Sequence, residues 1–138
     1  MATMPEVALD VGKEIEAAFN SRSLWKIERV LGRNVLQHSN LPGRTDIRQR
    51  LTFLLRVIPD ARLTIEDAWA EGRQVVWRWS IEGTHGGEYL GIAPTGREVR
   101  LTGLSVARIK YGLIAEFWDL ADEDGFLEQL QQQVGDVA

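Results

Sequence analysis

The stretch Ile81–Asp122 reads IEGTHGGEYLGIAPTGREVRLTGLSVARIKYGLIAEFWDLAD. It alternates like two long strands, Glu98–Lys110 and Leu113–Asp119, joined at Tyr111-Gly112. On the second, Leu113, Ala115, Phe117 and Asp119 share a face, so a carboxylate ends an apolar row. Such a carboxylate either caps the following helix, pairs with an arginine, or is the working group of a pocket.

Upstream of this stretch the period is two as far as Leu63. Val75–Thr84 sets Val75, Trp77, Trp79 and Ile81 against Val76, Arg78, Ser80 and Glu82. Leu63, Ile65, Asp67 and Trp69 form one face of the strand before it, with Asp67 as an interruption, and Glu71-Gly72 turns between the two. Before Asp60 the period is helical. Val7, Val11, Ile15, Ala18 and Phe19 stripe a helix with Pro5 in its first turn. Ser23 is a candidate cap for a short helix carrying Leu24, Ile27 and Leu31, which stops at Gly32. Asn34–His38 is extended, with Leu36 and His38 pointing the same way. A helix opened by Thr45 or Asp46 and closed by Pro59 buries Ile47, Leu51, Leu54 and Leu55. Glu123–Gln131 is a closing helix. Helices first, then hairpins, then a helix predict an α+β domain, a curved antiparallel sheet packed on N-terminal helices.

The 138 residues suit one domain, 1–138, burying roughly two-thirds of its unfolded surface. With 44% apolar and 26% charged residues the composition is that of a globular protein. A formal charge of −4 with interspersed signs offers no basic stripe for nucleic acid. No segment approaches the roughly 20 apolar residues that span a bilayer. Cys is absent, which excludes disulfides and thiolate chemistry, and two histidines make a histidine-built metal site a poor fit. The N-terminus lacks the pattern of a signal peptide. A cytoplasmic protein needing no cofactor or metal is the expectation.

Gly103, Ser105, Ala107 and Ala115 are small and share faces with Leu101, Phe117 and Asp119. Small residues in mid-strand leave volume for an apolar cavity, where desolvation would raise the Asp119 pKa toward the range of acid–base catalysis. His38 reads as a partly buried strand residue and His85 as a loop partner beside Gly86-Gly87. Either Arg78 and Ser80 line the cavity, or they face solvent while the tryptophans pack inside; periodicity leaves that open.

GTHGGEYLGIAPTG, followed by a strand, a Gly turn and EFWDLADEDGFLEQL, resembles the SnoaL-like polyketide cyclases of the nuclear-transport-factor-2-like superfamily. With AFN ending the first helix and IPD after the third, the resemblance covers nearly the whole chain. It implies a cone-shaped α+β barrel with a deep pocket, commonly dimeric. It also implies an aspartate at the end of the last strand, matched by Asp119, acting as acid–base in an intramolecular aldol closure without metal or Schiff base. A pocket histidine of the cyclases falls on Ser105, which is a departure. Limonene epoxide hydrolase, a relative, uses an Arg-x-Asp pair where this chain has Arg78-Trp79-Ser80, so its second carboxylate is missing. That relative tilts Arg78 and Ser80 toward the pocket and makes His38 the counterpart of a polar pocket position.

The expectation is therefore a cyclase or isomerase for a bulky, apolar ketone or polyketide, with an epoxide hydrolase of altered acid set or a non-catalytic ligand-binding module as alternatives. Asp119 and His38 are the expected catalytic residues, with Arg78, Ser80, Ser105, His85, Phe117 and Leu101 around the substrate. A homodimer is implied; a nucleic-acid or membrane partner is not.

Overall fold

The computed structural model describes residues 2–41 and 46–132. Helix α1 (Met4–Asn20) starts at Thr3, whose hydroxyl accepts the Glu6 N–H, and buries Ala8, Val11, Ile15, Ala18 and Phe19. A 3₁₀ turn (Leu24–Val30) follows, and Ser23 makes no side-chain cap there. Strand β1 (Leu31–Ser39) leads to α2 (Ile47–Val57), capped by Asp46 through the Gln49 N–H. Strands β2 (Arg62–Glu71), β3 (Gln74–Thr84), β4 (Glu98–Lys110) and β5 (Leu113–Ala121) and helix α3 (Glu123–Gln131) complete the order. Asp122, not Asp119, caps α3, accepting from the Gly125 N–H.

The five-stranded sheet runs β1-β5-β4-β3-β2 and is mixed: β1 pairs parallel to β5, and the other three pairings are antiparallel. The helices cover its inner face. Helix α1 lies across β2 and β3, where the Trp77 Nε1–H donates to the Ala8 carbonyl at 2.6 Å. Residue 12 must be small there, since a Cβ would stand 2.6 Å from Trp77 Nε1. Asn20 extends the ladder at the edge of β2, donating to Leu63 O and accepting from Leu63 N. Asn40 treats Ala121 of β5 in the same way.

Two bulges change which residues face inward. In β2 the register shifts between Ile65 and Asp67, so Leu63 and Ile65 face inward, then Ala68 and Ala70. Asp67 and Trp69 therefore turn outward, which removes the apparent interruption of an apolar face. In β5 the pairing skips Ala115, with Arg108 opposite Glu116 and Ile109 opposite Ile114. Ile114 is thereby buried with Phe117, while Leu113 stays partly exposed. One extra residue reverses every later side chain of a strand.

Candidate functional site

A cavity lies between α1, α2 and the inner sheet face. Among the described residues its wall is apolar (Ile15, Leu54, Trp77, Ile81 and Phe117 among others), with three polar side chains: Arg50, Ser105 and Asp119. Each arrives by a local necessity of its element. Asp119 and Phe117 follow the inward alternation of β5, and Ser105 lies opposite Asp119 on β4. Arg50 stands one turn into α2 on the same stripe as Ile47, Leu51 and Leu54, and is 1% exposed.

Their geometry is a set of donors around one carboxylate. Arg50 Nε–H donates to Asp119 Oδ2 at 2.9 Å, and Ser105 Oγ–H to Oδ1 at 2.7 Å. Behind Ser105, Trp79 Nε1–H donates to Ser105 Oγ at 2.9 Å. The guanidinium also lies over the Phe117 ring, 5.8 Å from its centroid. Burial pushes the Asp119 carboxyl above its usual range, while the charge of Arg50 and the Ser105 hydrogen bond pull the other way. Ionised, Asp119 accepts both donors and still has lone pairs for a proton. A desolvated carboxylate with a fixed cation beside it can accept a proton and leave the cation to hold the negative charge generated elsewhere.

The cavity volume is about 40 Å³. That holds water but no multi-ring skeleton, so a larger ligand requires wall side chains to shift. The small residues on β4 do not leave the expected room: the indole of Trp79 occupies the place above Gly103. Among the described residues no cluster of three or more His, Cys, Asp and Glu could hold a metal ion. None of their helices is long and apolar enough to cross a membrane.

A family model described as SnoaL-like polyketide cyclase matches residues 10–130. The chain belongs to that family. AclR of Streptomyces galilaeus, provisionally assigned as a hydroxylase, is similar to this SnoaL-like chain with a TM-score of 0.81 and 25% identity, over 96% of this chain and 85% of AclR. IdmH of Streptomyces antibioticus, provisionally assigned as a polyketide cyclase, gives a TM-score of 0.76 and 28% identity, over 91% of this chain and 99% of IdmH. A protein of Acidithiobacillus ferrooxidans, also provisionally assigned as a polyketide cyclase, shares the fold at a TM-score of 0.79 and 18% identity, over 95% and 99% of the two chains. A sequence search of curated proteins finds no match. The α+β class with N-terminal helices is the fold of this SnoaL-like family.

Of the residues singled out from sequence, Asp119, Ser105 and Phe117 meet at the cavity, and five do not. His38 is on the outer face, half exposed, stacked on Trp118 at 5.5 Å and hydrogen-bonded to Glu116 at 2.9 Å. It does share a side with Leu36, but that side faces outward, because Gln37 and Ser39 are the β1 residues paired with Phe117 and Asp119. Arg78 and Ser80 also lie on the outer face: Arg78 pairs with Asp67, and the Ser80 hydroxyl donates to Glu66 at 2.7 Å. Both are displaced from the cavity because Trp77, Trp79 and Ile81 claim the inner side of β3. Leu101 points inward but is packed in the core rather than on the cavity wall. His85 is buried as a loop pin: its Nδ1 accepts the Thr95 N–H at 3.1 Å, and its backbone bonds Arg97 and Gly96. Arg50 and Trp79 were not among the expected site residues. Arg50 had a visible signal, a charge on the buried stripe of a helix, the same kind of anomaly as Asp119.

Proposed function

We propose that this chain is a cyclase or isomerase that moves a proton next to the carbonyl of a neutral, largely apolar ketone or polyketide. The observation that carries the reading is Asp119, desolvated in an apolar wall and bonded to buried Arg50. When Asp119 accepts a proton from the carbon beside a carbonyl, the negative charge passes to the enolate oxygen. The pair of charges that was Arg50 and Asp119 becomes Arg50 and enolate, so the cavity stays neutral throughout. The enolate carbon then attacks a second carbonyl, whose oxygen takes the negative charge and recovers the proton from Asp119, or the enolate is reprotonated at another carbon by the Asp119 acid. A carboxylate and a guanidinium suffice for these steps, which call for no redox group.

The test uses solvent exchange, which needs no knowledge of the natural substrate. A neutral apolar 1,3-diketone is incubated in D2O with the protein, and loss of its α-proton signal is followed by NMR. The wild type is expected to accelerate exchange, and Asp119→Asn to lower that rate by about 10²- to 10⁴-fold, the usual contribution of a positioned base. Equal exchange by both proteins overturns the reading. Binding of the diketone by both with no exchange by either points to a ligand-binding module instead. Epoxide hydrolysis draws no support from Arg78 and Ser80, which face away from Asp119. The same proposal includes a homodimer, closed over the outer sheet face, where Leu36, Leu104 and Leu120 are exposed.

A further inference from the structure

Trp79 owes its place to a glycine. It pairs with Gly103 across β3 and β4, and a Cβ at residue 103 would run into the indole and stand 2.5 Å from the Leu120 carbonyl oxygen. Seated there, the ring reaches along β4 to Ser105, two residues on and on the same face, and bonds its hydroxyl. Donor and acceptor are both buried, at 7% and 5% exposure.

The polarity of this chain of hydrogen bonds follows from its first member. An indole N–H can only donate. Ser105 Oγ therefore accepts from Trp79, and its own proton goes to Asp119 Oδ1, 2.7 Å away. That arrangement suits an ionised Asp119. A protonated Asp119 that turned its proton toward Ser105 would make the serine O–H seek another acceptor, and the neighbouring wall is isoleucine, leucine and phenylalanine.

We propose that Trp79 is a positioning residue of this site: through Gly103 and Ser105 it aims a hydroxyl donor at Asp119 and holds the carboxylate ionised and oriented for an incoming substrate proton. The proposal rests on Asp119 as the proton acceptor, but it is tested without substrate, so a failure to exchange α-protons leaves its outcomes readable. Among the described residues the other charged group on the cavity wall is Arg50 from α2. From β1 the neighbours of β5 are the uncharged Gln37 and Ser39, and His38 and Glu116 lie on the reverse face.

The experiment is a ¹³C-carboxyl NMR titration of protein labelled at aspartate, with Asp119 assigned by the signal missing from Asp119→Asn. Trp79→Phe and Ser105→Ala are each expected to move the Asp119 midpoint upward, since each removes support for the ionised form. The double variant is expected to move it upward at least as far as the larger single change, since the indole of Trp79 supports the ionised Asp119 as well as the Ser105 hydroxyl. Trp77→Phe, which removes an indole from the same wall that bonds Ala8 instead, is expected to leave the midpoint in place. Gly103→Ala is expected to reproduce the upward shift with every indole atom retained. In unmutated protein, the Trp79 indole N–H resonance is expected to change with the Asp119 midpoint, a readout that survives even if a variant fails to fold. An unmoved midpoint in Trp79→Phe, or an indole resonance indifferent to Asp119, each overturns the proposal.

Discussion

Arg50 and Asp119 are more demanding on the fold than any other charged pair described here, because both are drawn into an apolar wall. Removing one partner from a buried pair leaves an uncompensated charge, at about 3–5 kcal/mol. Arg50→Met is therefore expected to lose about that much stability at neutral pH in urea unfolding, while Arg50→Met with Asp119→Leu recovers most of it. The pH dependence has a definite sign. Burial raises the folded-state pKa of Asp119 above 3.8, its ordinary value, so folding takes up a proton at this residue. The stabilisation from that uptake is complete below 3.8 and is lost as pH rises through the folded value. The deficit of Arg50→Met should shrink on acidification, as a neutral Asp119 no longer needs its cation. A deficit independent of pH would mean that Arg50 acts by packing alone. Both residues break an apolar pattern in the sequence, yet Asp119 is the plainer anomaly, because the residues alternating with it on its strand face, Leu113, Ala115 and Phe117, are all apolar, whereas the helix around Arg50 also carries Arg48, Gln49 and Arg56. His38 lies on the side opposite to the expected one for a different reason. The side chains of β1 divide correctly into two sets, but which set meets the helices is decided by its pairing with β5, some eighty residues away.

At the scale of elements, two tryptophans on β3 are each matched to a glycine on a neighbour, Trp79 to Gly103 and Trp77 to Gly12. The second match sets two known effects against each other. Alanine for glycine within a helix ordinarily gains about 1 kcal/mol. At residue 12 the new Cβ would meet Trp77 Nε1 at 2.6 Å and Cδ1 at 2.8 Å, and this indole is held by its bond to Ala8. Overpacking a tight core costs about 1–3 kcal/mol, and a buried N–H deprived of its acceptor costs about as much again. Gly12→Ala is therefore expected to destabilise the protein by about 1–5 kcal/mol, read as a lower urea midpoint at unchanged slope. A variant as stable as the wild type would show that α1 can move off the sheet without loss. These matches also explain what strand patterns could not reveal. Gly103 and Ser105 were legible as small residues, but the space above a small residue can be empty or filled by a neighbour, and only pairing places Trp79 over Gly103. The bulges act similarly: strict alternation puts Asp67 inside, and one additional residue puts it outside.

For the molecule as a whole, the order of helices and hairpins could be read from the changes of period, whereas the parallel β1–β5 pairing could not, since no local pattern encodes a contact across the chain. That pairing completes an outer face that the described helices leave uncovered. On it Leu36, Trp69, Leu104 and Leu120 are 56%, 45%, 42% and 55% exposed, with Trp118 half-buried among them. Ion pairs surround this group: Arg78 with Asp67, Arg100 with Glu66 and Glu82, Arg108 with Glu116. An apolar centre with a charged rim is the anatomy of a protein interface. A surface carrying both signs can meet its own copy about a two-fold axis, each cation facing an anion. A second copy is therefore the occupant proposed for this face. Leu104 sits on β4, the middle strand of the sheet, so Leu104→Arg places like charges close to the axis and in a desolvated setting. Sedimentation equilibrium of the wild type near 100 µM, where an association with micromolar Kd is essentially complete, should give twice the chain mass. Leu104→Arg and Leu120→Arg should each give the chain mass, with unchanged far-UV circular dichroism. Because both residues point away from the cavity, the Asp119 carboxyl signal should titrate in these monomers as it does in the wild type. A wild type that sediments as a monomer at that concentration, or variants that remain dimeric, would remove the outer face as the site of self-association.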